Sequence, residues 1–287
     1  MNINKKIKLL DFKLTKSLWN SFFWVYKSKF VWNWIDFIEH KEYNFWDPIK
    51  NINWKTIGKT TKLYTKIFEE ERDLKILFVI DINKKMNFWF FDKTKKEVLE
   101  EIFFTLSSSA SFYWDSIGDL LNNGKKNIFM PYKKWLFNIF SVIWELNKEE
   151  NFSEIEENRS LKAFDYLNKI NTQNTLIFII SDEIKDDLNN NLKILSKKNE
   201  IYYINIFDNF ENNLINIDLD LSLWYNNDFL NISLNDNEKI KEYKKNRLSK
   251  INNFNNILAK NNISYKNIDT KDDVFKELYL FFNGLNR

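Results

Sequence analysis

The chain has 287 residues, and its 43 basic and 40 acidic residues leave a formal net charge of +3. A charge so close to balance argues against a dedicated nucleic-acid-binding domain, which usually carries a basic stripe. The lack of cysteine excludes disulfide bonds, thiolate metal ligands and a cysteine nucleophile.

The N-terminal residues contain no membrane-spanning or secretory pattern. No apolar run approaches the roughly 18 residues that cross a bilayer, and charged residues follow the basic start where a signal peptide would have an apolar core. We therefore predict a cytoplasmic protein. Residues 13–26 have the pattern of a basic amphipathic helix, which leaves attachment to a membrane surface, without spanning it, as an alternative.

From residue 62 onward, predicted strands alternate with predicted helices. Residues 62–68 alternate as a half-buried strand, and the apolar runs at 74–82, 176–180 and 201–207 are typical of buried parallel strands. Helical patterns cover residues 93–112, 132–146, 154–170, 185–198, 237–262 and 270–282, with a short strand between the last two. This alternation predicts an α/β fold with a doubly wound, mostly parallel sheet flanked by helices.

An acidic residue stands at the end of each of the three apolar runs: Asp81, Asp182 and Asp208. Ligands of such folds bind at the carboxyl ends of the parallel strands, which lie at one edge of the sheet. We therefore expect these carboxylates along that edge.

Several short motifs occur along the chain in a fixed order. They are Lys41-Glu42-Tyr43, Trp46-Asp47, Ile52-Asn53-Trp54, Lys59-Thr60, Glu70-Glu71-Arg72, Asp81-Ile82-Asn83-Lys84-Lys85-Met86 and Trp114-Asp115-Ser116-Ile117-Gly118. In order and spacing they resemble the bacterial family of the domain of unknown function fifty-eight, whose core is a von Willebrand factor A-like domain. Together with the helix predicted at residues 13–26, the resemblance divides the chain into an N-terminal helix and family-signature region over residues 1–73, and a von Willebrand factor A-like domain over residues 74–287.

The same resemblance implies a second functional surface, formed by the family-signature residues Glu42, Tyr43, Asp47, Trp54, Lys59 and Thr60. The alternative is that this stretch only braces the fold.

The chain holds eleven tryptophans and four glycines. Compared with the family pattern, tryptophan stands where glycine is usual at Trp32, Trp34, Trp46, Trp89, Trp114 and Trp135. Bulky residues at glycine turn positions would each strain the backbone by about 1–3 kcal/mol. We therefore favour the hypothesis that UGA codons are read as glycine in the source organism, over the alternative of sequence divergence.

The resemblance also implies a Mg²⁺ site built from an Asp-x-Ser-x-Ser motif and a further aspartate. Asp81 and Asp182 stand at the acidic positions, but Asn83 and Lys85 replace the two serines. A lysine ammonium cannot ligate a cation, so no metal cofactor is expected and Mg²⁺ is disfavoured. One hypothesis is that the Lys85 ammonium bridges Asp81 and Asp182; the alternative places Lys85 in solvent and leaves the acids as caps of helices or loops.

Catalytic motifs are missing from the sequence. His40 is the single histidine, and no glycine-rich phosphate-binding loop occurs. We therefore expect a protein that is not an enzyme. The resemblance implies a protein-interaction module that works with a MoxR-type AAA+ ATPase and a client protein, with Asp81, Asn83, Lys85 and Asp182 contacting the partner. The alternative is a metal-dependent hydrolase that uses Asp81, Asp182 and Asp208.

Overall fold

The computed structural model describes part of the chain. The described residues are 40–42, 64–66, 74–87, 93–112, 115–123, 126–134, 137–148, 159–170, 172–182, 188–212, 220–225, 228–233 and 237–285. Before residue 74 they comprise two short strands, β1 (His40–Glu42) and β2 (Tyr64–Lys66), which pair antiparallel. The predicted helix at 13–26 lies outside the described residues, and the predicted domain boundary at residue 73 stays a prediction.

A six-stranded sheet forms the centre of the described fold. Its strands are β3 (Lys75–Asp81), β4 (Ser116–Asn122), β5 (Asn127–Lys134), β6 (Thr175–Ser181), β7 (Glu200–Phe207) and β10 (Ser264–Asp269). They lie in the order β10-β7-β6-β3-β4-β5, and every neighbouring pair is parallel except β4 and β5. The strands β8 (Asp220–Tyr225) and β9 (Asp228–Ser233) form a separate antiparallel pair.

Helices cover both faces of this sheet. In chain order they are α1 (Lys95–Phe112), α2 (Phe137–Leu146), α3 (Arg159–Lys169), α4 (Asn189–Ser196), the single-turn α5 (Asn209–Asn212), α6 (Asn237–Lys260) and α7 (Val274–Leu285). Buried residues of α1, α2 and α7 pack on one face, and those of α3, α4 and α6 pack on the other. The predicted α/β class, with its doubly wound and mostly parallel sheet, is confirmed.

Strand β3 shows why the apolar runs of the sequence become central strands. Successive side chains of a strand point to opposite faces. Phe78 packs among the residues of one hydrophobic core, and its neighbours Leu77 and Val79 pack in the other. A strand covered on both sides needs an uninterrupted apolar sequence.

The sequence patterns did not predict β4 and β5. The segment Asn127–Lys134 is the edge strand of the sheet and contains Pro131, and proline is tolerated at an edge because one side of the strand needs no hydrogen bonds. The helix predicted over residues 132–146 therefore begins only at Phe137.

No helix among the described residues has the length and apolar character that crossing a bilayer requires.

Candidate functional site

The candidate site lies where the winding of the sheet changes direction. From β3 the chain continues on one side to β4 and β5, while β6, β7 and β10 lie on the other side. In open α/β sheets this switch point opens a crevice outside the carboxyl ends of the two central strands. Asp81 is the last residue of β3, and Asp182 directly follows β6. We call residues 81–87 and 181–182 the switch-point rim.

Asp81 is held by side chains from both neighbouring strands. The Asn122 amide donates to Asp81 Oδ1 at 3.2 Å, and the Ser181 hydroxyl donates to Asp81 Oδ2 at 3.0 Å. Asp81 is almost wholly buried. Its carboxylate therefore ties together the ends of three adjacent strands.

Asn83 connects the two loops of the switch-point rim. Its side-chain amide donates to Asp182 Oδ1 at 2.6 Å, and its Oδ1 accepts the backbone N–H of Lys85 at 2.7 Å. Asn83 is fully buried, whereas Lys85 is half-buried. The structure thus brings Asp81, Asn83 and Asp182 together at one end of the sheet, with Lys85 on the same short turn.

A second lysine enters the site from the start of α1. Thr94 precedes this helix, and its hydroxyl accepts the Glu97 backbone N–H at 3.1 Å while Glu97 Oε2 accepts the Thr94 backbone N–H at 3.0 Å. This reciprocal capping box fixes the first turn of the helix. Lys95 is consequently the first helical residue, at the helix end where a positive side chain is least favoured.

The Lys95 ammonium lies between two carboxylates. Its Nζ is 2.5 Å from Glu211 Oε1 and 3.6 Å from Asp182 Oδ2, and the side chains of Lys95 and Asp182 are each only 1% exposed. Arg247 of α6 extends the network, because its Nη2 lies 3.0 Å from Glu211 Oε2. Charges of alternating sign therefore run from Asp182 through Lys95 and Glu211 to Arg247.

Sequence reasoning missed Lys95 and Glu211. The Thr94-x-x-Glu97 capping box was available as a signal, and so was a lysine at the unfavourable end of a helix. The contact itself joins residues 116 positions apart in the chain, so it depends on the tertiary fold.

The donors at the switch-point rim do not fit the divalent cation that the sequence resemblance implies. Mg²⁺ needs oxygen ligands in near-octahedral geometry. Here both oxygens of Asp81 accept side-chain hydrogen bonds, and Asp182 accepts an amide and faces an ammonium. Within the part of the chain that the structure describes, no group of three or more His, Cys, Asp or Glu side chains could hold a metal ion.

Asp208 has a separate structural task. Its Oδ1 accepts the backbone N–H of Phe210 and its Oδ2 accepts the Thr270 hydroxyl, each at 2.9 Å. The residue is fully buried after β7, so its carboxylate joins the start of α5 to the end of β10.

Comparison with protein families shows the family of the chain. Residues 39–249 match the sequence profile described as protein of unknown function DUF58. The chain belongs to this family. The family recognised from the sequence motifs is thereby confirmed for this DUF58 protein.

Two solved structures are similar to this DUF58 protein at low identity. One is the conserved hypothetical protein BatB from Bacteroides thetaiotaomicron, with 11% identity and a TM-score of 0.45 over 74% of this chain and 98% of BatB. The other is the SpRpn10 VWA domain, with 12% identity and a TM-score of 0.40 over 72% of this chain and 94% of that domain. No curated protein sequence matches the chain.

Most of the DUF58 signature surface lies outside the described residues. Glu42 belongs to β1 together with His40, whereas Tyr43, Asp47, Trp54, Lys59 and Thr60 fall in the ranges that are not described. The same holds for the tryptophans at family glycine positions, which are Trp32, Trp34, Trp46, Trp89, Trp114 and Trp135. The interpretations of these residues stay predictions.

One further acid of this DUF58 protein is strongly perturbed, in the middle of β4. Asp119 is fully buried, and neither of its carboxyl oxygens has a hydrogen-bond partner among the described residues. Burial raises the pKa of Asp119 to about 8, and the nearby Asn138 side chain opposes part of that shift. The Asn138 amide donates instead to the carbonyls of Ile117 and Pro131, each at 2.9 Å. Asp119 lies within the sheet and away from the switch-point rim. Its ionisation therefore affects the stability of the fold and not the candidate site.

Proposed function

We propose that this protein is a non-catalytic interaction module that docks a partner at the switch-point rim, through a degenerate form of the family's metal-ion-dependent adhesion site. The hydrogen bond of 2.6 Å between the Asn83 amide and Asp182 carries the proposal. It ties the loops after β3 and β6 to each other at the place where α/β folds usually bind their ligands.

The hydrogen-bonding state of the acids supports docking over catalysis. A general base must be within hydrogen-bond reach of the proton that it removes. Asp208 is fully buried and Asp81 is almost wholly buried, and both carboxylates already bind neighbouring groups of the fold. We therefore propose that neither acts as a base or a nucleophile, that the protein is not an enzyme and that it needs no metal cofactor.

The charge at the outer side of the rim indicates what the partner presents. Lys84 is exposed and Lys85 is half-buried, and both lie on the short 3-10 turn that follows β3. A basic turn attracts an acidic side chain and speeds the encounter with it. We propose that a MoxR-type AAA+ ATPase, with which the family resemblance associates the chain, supplies this acidic contact during the assembly or activation of a client protein in the cytoplasm.

Titration calorimetry with the purified MoxR-type ATPase of the same organism tests the proposal. We expect saturable binding to the wild type, weakened about tenfold or more by Lys84→Glu, since that charge reversal places like charges opposite each other. Lys197→Glu is the matched control. Lys197 is exposed and lies between α4 and the start of β7, which places it at the opposite end of the sheet. Equal affinity of the two variants would contradict docking at the rim.

The proposal extends to the tryptophans at family glycine positions, which we infer to be glycine in the protein as its source organism makes it. The coding DNA decides this point. UGA codons at those positions would support it, and UGG codons would rule it out.

A further inference from the structure

We propose that the Lys95 ammonium is the resident cation of the switch-point rim and replaces the divalent metal. This inference deepens the docking function proposed above, although its test needs no partner. The rim would then be charged and ordered at all times, so that docking would not depend on the supply of magnesium or manganese.

The burial of Lys95 is the first support. Lys95 is among the largest side chains that are fully buried, and lysine is almost never fully buried unless it is paired. Its ammonium contacts Glu211 at 2.5 Å and faces Asp182 at 3.6 Å. A buried ammonium between two carboxylates supplies positive charge at the acidic position that follows β6.

The position of Lys95 in the chain is the second support. It opens α1, where the helix dipole disfavours a positive side chain, and the capping box of Thr94 and Glu97 holds the helix start in place. The neighbouring carboxylates of Asp182 and Glu211 offset that unfavourable position. A rigid helix start also fixes the backbone from which the ammonium reaches the rim.

The charge balance within the ion-pair network around Lys95 is the third support. Asp182 and Glu211 carry two negative charges, and Lys95 and Arg247 carry two positive charges. A divalent cation beside Asp182 would lie close to the Lys95 ammonium and would be repelled by it. If the ammonium were removed, Asp182 would lose this counter-charge, and the repulsion of a divalent cation beside it would fall.

The test is a titration with Mn²⁺ alone. Two quantities are measured: the electron paramagnetic resonance signal of the free ion, and the melting temperature of the protein. We expect no saturable binding to the wild type at millimolar Mn²⁺. Lys95→Met keeps the length of the side chain without its charge, and Lys85→Ser restores the hydroxyl ligand expected for the family. The Lys85→Ser/Lys95→Met variant should bind Mn²⁺ at least about tenfold more tightly than Lys85→Ser alone, and should melt at a higher temperature when Mn²⁺ is added. Lys93→Met is the matched control. Lys93 lies just before α1, its side chain is 41% exposed, and it pairs with Glu101. This variant should behave as the wild type.

Two results would overturn the inference. One is saturable Mn²⁺ binding by the wild type that Asp182→Asn abolishes, and the other is a folded Lys85→Ser/Lys95→Met variant that binds Mn²⁺ no better than Lys85→Ser alone. If the double variant does not fold, Lys85→Ser alone decides the matter. It restores the hydroxyl ligand expected for the family while Lys95 stays in place, so it should gain no Mn²⁺ binding, and a gain would refute the inference. A failure of the ATPase to bind would bear on the docking function alone.

Discussion

The buried carboxyl of Asp119 leads to a prediction about the pH dependence of stability. In the folded protein, burial raises the pKa of Asp119 from the ordinary 3.8 to about 8. At neutral pH the side chain is therefore protonated in the folded state and ionised in the unfolded state. The unfolded state has then lost a proton that the folded state keeps, so the free energy of unfolding falls as the pH rises between these two pKa values.

The size of this effect follows from the shift. One pKa unit corresponds to about 1.4 kcal/mol, so a shift of about 4 units gives an upper limit of about 6 kcal/mol. Below pH 3.8 the contribution of Asp119 is fully present, and it has been lost once the pH passes about 8. The steepest slope expected from this one residue is about 1.4 kcal/mol per pH unit.

Asp119→Asn tests the reasoning, because asparagine has nearly the shape of the protonated acid and does not titrate. We expect the stability of the variant relative to the wild type, measured by urea unfolding, to rise by up to about 4 kcal/mol between about pH 5 and about pH 8. The slope is the diagnostic quantity, since a buried amide adds a cost that does not change with pH. Asp165→Asn removes an exposed carboxylate of α3 and controls for the loss of one acid. A stability difference that stays constant with pH, or that falls, would refute the assignment of a neutral Asp119.

Three further substitutions test local parts of the fold by urea unfolding. Thr94→Ala removes the capping hydroxyl of α1 and should lower the free energy of unfolding by about 1 kcal/mol; no loss would argue against the capping box. Gly118→Ala places a Cβ about 3.0 Å from the Tyr132 ring and should lower it by about 1–3 kcal/mol, whereas a neutral result would mean that the ring moves freely. Glu277→Gln breaks a partly exposed ion pair with Lys266 and should change it by less than about 1 kcal/mol; a larger loss would assign that pair an unexpected structural role.

The sequence predicts those parts of the fold whose signal is local. The apolar run that becomes β3 is buried on both faces, and continuous hydrophobicity marks such a strand. β4 gives no comparable signal, because Gly118 and Asp119 interrupt its apolar residues. Its identity as a strand depends on pairing with β3 and on packing, which are properties of the whole fold.

The candidate site also has a part that the sequence predicts and a part that depends on the fold. Asp81 and Asp182 could be placed near each other, because parallel strands end at the same edge and each acid follows an apolar run. The sequence motif points to Lys85, because this lysine replaces a family serine. The structure shows that Lys95, on the next helix, reaches Asp182 and Glu211. The contact depends on the length of the helix and on the path of the loops. Hydrophobic periodicity in the sequence predicts neither of these.

A double-mutant cycle between Lys95 and Asp182 tests most directly whether these two charges form one unit. Lys95→Met alone should lower the free energy of unfolding by about 3–5 kcal/mol, because it leaves buried carboxylates without their counter-charge. Asp182→Asn should reduce that cost, so that the double variant is more stable than the sum of the single effects predicts, by about 1–3 kcal/mol. Effects that add within about 0.5 kcal/mol would contradict a built-in cation at this site.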